Sequence, residues 1–248
     1  GVKRIFQKNS NIRFYGLVHE ELRKNSITTK TKSNVVNNIS INMKLHHDGY
    51  QKNILNEKQK AQRNICLLKK LIMIEPEKPR WKYFLARDGF IYGLLGFSEI
   101  EHLLNEVISI CKNNHCYYDY IFLSQIVLLK LKFCQEKFDE VESIAKQLET
   151  IFPNNSDSVF FSMMSNIYKM KNSLFTMLKQ VIEYRENNFQ RQYGMLHSNG
   201  YHIDFLIGVL LFELGQYEQA SKYFDFLKDK FVINQDYFKT IKEFLHSR

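Results

Sequence analysis

The stretch from Ile207 to Leu227 constrains this chain more than any other. It reads Ile207-Gly208-Val209-Leu210-Leu211-Phe212-Glu213-Leu214-Gly215-Gln216-Tyr217-Glu218-Gln219-Ala220 and continues through Phe224 to Leu227. Apolar residues recur at helical spacing on both sides of Gly215, a residue suited to the left-handed backbone of a tight turn. Gly208 and Ala220 are small where two antiparallel helices must approach. Tyr217 and Phe224 are large where a groove between helix pairs must be filled. Only 3 prolines and 10 glycines occur in 248 residues, so long uninterrupted helices are expected over most of the chain.

This order of small and aromatic positions resembles the tetratricopeptide repeat. The same frame places Phe138 where Tyr217 sits, with Val141, Ala145, Leu148 and a closing Pro153 at the later positions. Two weaker units align on Ser98, after Gly96, and on Leu174. Successive anchors lie 40, 36 and 43 residues apart, against about 34 in the standard repeat. The expected fold is therefore mainly α: a degenerate tetratricopeptide-like array of helical hairpins, an α-solenoid, over residues 81–248.

The first 80 residues follow other periods. Ile12-Arg13-Phe14-Tyr15 and Val35 to Leu45 read as strands, the second alternating with Val35, Asn37, Ile39, Ile41, Met43 and Leu45 on one face. Arg23 to Asn34 is polar and reads as a loop. From Gln51 to about Ile74 the period becomes helical through Ile54, Ala61, Ile65, Leu68 and Ile72. Glu75-Pro76-Glu77-Lys78-Pro79 then ends the helix, since residues before proline leave the helical region. The expected organisation is a β-rich segment over 1–50, a connecting helix and Pro turn over 51–80, and the repeats over 81–248.

Charge is uneven. Residues 1–80 hold 17 Lys and Arg against 6 Asp and Glu, whereas the remainder holds 18 against 20. The basic part suits a phosphate-bearing ligand. The acidic balance of the array argues against a groove that tracks nucleic-acid phosphates, so no nucleic-acid partner is expected. No run of about 18 apolar residues is present to span a membrane. Cys66, Cys111, Cys116 and Cys134 form no CxxC pair and read as buried free thiols of a cytoplasmic protein. Zinc binding by Cys111, His115 and Cys116 lacks a second ligand pair.

Two short motifs concentrate the chemistry: Gly16-Leu17-Val18-His19-Glu20 and His46-His47-Asp48-Gly49-Tyr50. Together with Arg4-Ile5-Phe6, Phe14-Tyr15 and Glu75-Pro76-Glu77-Lys78-Pro79-Arg80-Trp81, they stand in an order that resembles the end of the catalytic domain in one branch of the family-2 glycosyltransferases. The resemblance covers residues 3–88 and implies sugar transfer from a nucleotide-sugar donor to a peptide or protein acceptor. It implies a GT-A domain in which an Asp-x-Asp pair holds Mn2+ or Mg2+. This sequence contains no Asp-x-Asp, so it is expected to be a carboxy-terminal portion, inactive alone and without a bound cation of its own.

Within that resemblance Glu20 is the candidate general base. His19 would contact the diphosphate or complete a metal shell, and His47 would be a metal ligand beside ligands outside this chain. On a strand, His19 and Glu20 would face opposite sides. The plainer reading makes His19 a hydrogen-bonded strand histidine, Glu20-Glu21 a solvated turn, and Asp48-Gly49 an ordinary turn dipeptide. Aromatics such as Trp81, Phe84, Tyr117, Tyr118, Tyr120, Tyr223, Phe224 and Phe226 line a peptide groove in one reading and fill the core in the other. Strands of residues 1–50 would lack their sheet here, so this segment is expected to be disordered or paired with a second copy.

Two functions follow. In the first, the chain is the carboxy-terminal region of a glycosyltransferase whose repeats bind the acceptor or make a homodimer. In the second, it is a non-enzymatic tetratricopeptide-type scaffold for protein–protein interaction.

Overall fold

The computed structural model describes residues 12–24, 60–115, 117–187, 196–197, 199–231 and 243–244. The strand expected at Val35 to Leu45, the His46–Tyr50 motif and the first turns of the helix expected from Gln51 lie outside these residues. The chain divides into two compact units, Gly1–Ser158 and Val159–Arg248.

In the first unit, strand β1 (Ile12–Tyr15) pairs antiparallel with β2 (Glu21–Lys24), in the register Tyr15 to Glu21 and Ile12 to Lys24. The polar run expected as a loop from Arg23 thus begins inside a strand, because Arg23 finds carboxylate partners there. Five helices follow: α1 (Lys60–Ile74), α2 (Pro79–Ile91), α3 (Phe97–Asn113), α4 (Tyr118–Cys134) and α5 (Phe138–Ile151). The turn at 75–78 places Pro79 at the first position of α2, where its missing N–H costs nothing. Each helix packs on the next, and α2 also packs on α4. That last contact is the stacking expected when α2/α3 and α4/α5 are successive hairpins of one array. The shared core is built on Leu68, Trp81, Ile100, Leu104, Val107 and Leu131, all fully buried.

The frame drawn from the sequence holds at α5, which starts at Phe138 and buries Val141, Ala145 and Leu148. It holds again in the second unit, where α7 (Tyr201–Glu213) and α8 (Tyr217–Leu227) flank Gly215, whose φ is +77°. A Cβ on Gly208 would sit 3.0 Å from Phe224 Cε1, so the hairpin needs hydrogen there. The unit anchored on Leu174 is different. No turn precedes Leu174, which lies inside a continuous helix α6 (Ser156–Asn187) of 32 residues. No glycine or proline interrupts residues 156–187, so nothing breaks the helix into a hairpin.

Cys66 and Cys134 are exposed free thiols, against the expectation of burial, while Cys111 is buried. Among the described residues, no helix is long and apolar enough to cross a membrane.

Candidate functional site

His19 and Glu20 do not lie on a strand. They end the loop of residues 16–20 that joins β1 to β2, so strand alternation does not govern them. The loop is bent by Gly16, at φ +113°, and by His19 itself, at φ +50°. Gly16 is required twice, since a Cβ there would also come within 2.9 Å of the Trp81 ring. A non-glycine residue in the left-handed region is uncommon, though histidine enters it more readily than most.

The surroundings come from α2. The His19 Nε2–H donates to Asp88 Oδ2 at 2.7 Å, and the imidazole stacks on Phe84 with ring centroids 4.1 Å apart. Arg87 donates from Nε and Nη2 to Asp88 Oδ1 at 2.9 and 2.7 Å. Arg80 donates from Nη2 to the His19 carbonyl and from Nη1 to the Tyr120 hydroxyl. Beneath the hairpin, Arg23 makes a two-pronged pair with Glu75 at 2.6 and 2.9 Å, and Trp81 Nε1–H donates to the same carboxylate at 2.8 Å. Such bidentate, charge-assisted bonds are the strong ones. The segment expected to want a sheet or a second copy thus has, at residues 12–24, partners within its own chain.

Electrostatics follow the contacts. Burial works to raise the Asp88 carboxyl, but the hydrogen bonds from His19 and Arg87 outweigh it and the group titrates below its ordinary range. The Arg23 guanidinium beside Glu75 likewise holds that carboxyl low against its burial, with help from Trp81. A depressed folded value means that each ionised carboxylate stabilises the fold above its unfolded pKa, about 3.8 for Asp and 4.5 for Glu. That contribution is lost as pH falls through the folded values. Emission from Trp81, the one tryptophan, is therefore expected to report an acid transition that sharpens below about pH 4. Glu75→Gln should be less stable at neutral pH and lose less of its remaining stability on acidification; identical acid profiles for the two proteins would contradict the assignment.

The loop sends its two candidate residues opposite ways. His19 is partly buried against α2, while Glu20 is exposed to solvent. With Nε2–H committed to Asp88, only Nδ1 of His19 is left to meet a ligand. His47 lies outside the described residues. Among the described residues, no group of three or more His, Cys, Asp or Glu is close enough to hold a metal ion. The described part of the chain therefore does not fit a complete cation site. Asp88 and Arg87 escaped the sequence reading, and Arg80 entered it only as part of the Glu75–Trp81 motif. The signal for Asp88 was available: it sits seven residues after Trp81 and three after Leu85, a carboxylate on a helix face that is otherwise core. Of the aromatics, Trp81 and Phe224 are core, whereas Tyr117, Tyr118 and Phe226 are exposed.

A second polar feature lies among α3, α4 and α5: a cavity of about 370 Å³ whose lining includes Asn105, Gln125, Lys132, Ser143 and Gln147. Lys132 is buried and donates to Glu101 Oε1 and pairs with Glu140 Oε2, each at 2.6 Å. Burial opposes its charge, but the two carboxylates prevail and raise its pKa. Gln125 is also buried, and its Oε1 has no hydrogen-bond partner among the described residues.

Two curated proteins similar to this chain are named as glycosyltransferases, in keeping with the motif order. The chain is homologous over 246 residues, 98% of its length and at 26% identity, to the SPbeta prophage-derived glycosyltransferase SunS of Bacillus subtilis (strain 168). The same figures hold for glycosyltransferase SunS of Bacillus phage SPbeta. The chain spans about half, 54%, of the length of these curated relatives. No protein-family signature matches it. Among solved structures, a thermophilic tetratricopeptide-repeat protein of Thermus thermophilus is 12% identical with a TM-score of 0.33, covering 78% of this chain and 92% of that one. A score of that size means the two chains do not superpose as wholes.

Proposed function

We propose that this chain is the carboxy-terminal region of a nucleotide-sugar-dependent glycosyltransferase, with its repeats serving to bind a peptide or protein acceptor. The observation that carries the reading is the docking of the His19–Glu20 loop on α2 through Asp88 and Arg80, within a chain homologous to a glycosyltransferase over nearly its whole length. A loop held in a left-handed turn by a buried carboxylate and a guanidinium is positioned more strongly than a solvated hairpin needs.

The roles follow from exposure and bonding. Transfer requires an acceptor thiol or hydroxyl to attack the anomeric carbon while the nucleoside diphosphate departs. Glu20, open to solvent, would take the acceptor's proton. His19, its Nε2–H given to Asp88, would offer its Nδ1 lone pair to the divalent cation that accompanies the diphosphate. A divalent cation, Mn2+ or Mg2+, would neutralise that diphosphate and be held by carboxylates this sequence lacks, with His47 as a supplementary ligand. The acceptor would lie along the polar cavity of α3–α5, where the side-chain amides of Asn105, Gln125 and Gln147 suit a peptide main chain.

The test is release of nucleoside diphosphate from a panel of nucleotide-hexoses, with Mn2+, by the polypeptide carrying this chain together with a donor-binding domain. Glu20→Gln is expected to lower the rate by about 10²-fold or more. An unchanged rate would dismiss the assigned role, and no release from any donor would favour the scaffold reading.

A further inference from the structure

The polar cavity over α4 has a built-in direction. Helices α3 and α5 both pack on α4 but not on each other, so a groove opens between them with α4 as its floor. Short turns join the three helices, so α3 and α5 run one way and α4 runs against them. The lining residues therefore fall into levels. At one end stand Glu101, Lys132 and Glu140, tied together by the two 2.6 Å contacts of Lys132. Leu128 and Ile144 make an apolar middle, Gln125 and Gln147 follow, and Lys112 closes the far end.

Two independent observations show what the groove lacks. Gln125 is only 4% exposed, yet its Oε1 meets no donor among the described residues. A buried acceptor left unpaired costs stability, so a donor arriving from outside the fold gains by meeting it. At the other end two carboxylates share one buried ammonium, which leaves one negative charge uncompensated there. Lys137 reaches Glu140 at 3.4 Å, but that pair is exposed and weighs little. The Glu101 and Glu140 side chains are 35 and 48% open, within reach of a ligand.

We propose that this groove selects an acceptor segment with a lysine or arginine, whose cationic head joins Glu101 and Glu140 while a main-chain N–H of the same segment donates to Gln125. The proposal rests on the transferase reading for calling that segment the acceptor. Gln125 and Lys132 are seven residues apart on α4, about 10 Å along the helix. An extended peptide rises about 3.3 Å per residue. The stem of a lysine or arginine, laid along Leu128 and Ile144, covers the rest of the distance. The basic residue therefore stands within two positions of the one whose N–H meets Gln125. An acidic side chain in its place would face two carboxylates, so the groove discriminates by repulsion as well as attraction.

The test is an array of amidated hexapeptides, each fixed at one position and mixed elsewhere, probed with the full 248-residue chain. Lysine and arginine are expected to be favoured over glutamate at one position by about five-fold or more. Glu101→Gln, which leaves Lys132 paired with Glu140, should abolish that preference with the far-ultraviolet circular dichroism unchanged. Gln125→Leu should weaken binding of all the peptides and raise the melting temperature, since it removes an unpaired buried acceptor. Equal binding of basic and acidic peptides, a preference that survives Glu101→Gln, or a Gln125→Leu variant that melts lower and binds as before would each overturn the proposal. Peptide selection needs no sugar donor, so the two readings fail separately. Diphosphate release without a basic preference would sink this proposal alone, whereas a basic preference without release would support the groove and sink the transferase.

Discussion

Trp81→Ala should lower the stability of the first unit by about 3–5 kcal/mol, the range for emptying a buried aromatic site. Trp81 has no exposed surface, and it joins three parts of the unit. Its six-membered ring meets Gly16 of the hairpin so closely that no Cβ fits, its body fills the core shared with α1 and α3, and its Nε1–H holds Glu75. Removing it leaves a cavity and weakens the Arg23–Glu75 pair that ties β2 to the α1–α2 turn. Trp81→Phe separates these effects. It keeps most of the volume and loses only the hydrogen bond to a charged group, for which about 1.5–3 kcal/mol is expected. Chemical denaturation followed by circular dichroism measures both. A cost below about 1 kcal/mol for Trp81→Ala would mean that the hairpin is not seated on this residue.

Local features were legible because they are written locally. Gly215 marked the turn between α7 and α8, Phe138 marked the start of α5, and Pro76 to Pro79 marked the end of α1, each through backbone preferences confined to a few residues. The hairpin frame failed at Leu174 for an equally local reason. Apolar spacing alone suggested a unit boundary, but residues 156–187 hold no glycine or proline to make a turn.

The candidate site was half legible. Motif order singled out His19 and Glu20, yet their environment depends on Asp88, 69 residues away, and on Arg80, 61 residues away. Periodicity cannot reveal contacts at that separation. It could only have flagged Asp88 as a carboxylate on a core-facing stripe. Assigning His19 to a strand also misled the geometry, because its backbone is left-handed and lies in the loop between the strands, where alternation does not apply.

The second large effect concerns the same pair. Asp88→Asn is expected to slow nucleoside diphosphate release about 10–100-fold, the range found when the carboxylate behind a working imidazole is removed. The loss arises because an amide can offer its N–H to His19 Nε2, which no longer fixes the proton there and frees the imidazole to present Nδ1–H instead. Arg87, which shares Asp88, keeps its aromatic contact with Phe84 in the variant, so the helix surface should persist. His19→Ala alone should cost about 10²-fold.

On the proposed function, α2 of the helical array contributes to the transfer site through the His19–Asp88 bond. A double-mutant cycle tests this most directly, with the release rate measured for the unaltered protein, His19→Ala, Asp88→Asn and the pair together. If the residues act as one device, the double variant is expected to be no slower than His19→Ala, a coupling of about 1.4–2.7 kcal/mol that matches the 10–100-fold loss from Asp88→Asn. Rate losses that multiply, leaving the double variant slower than either single one by the full product, would contradict it.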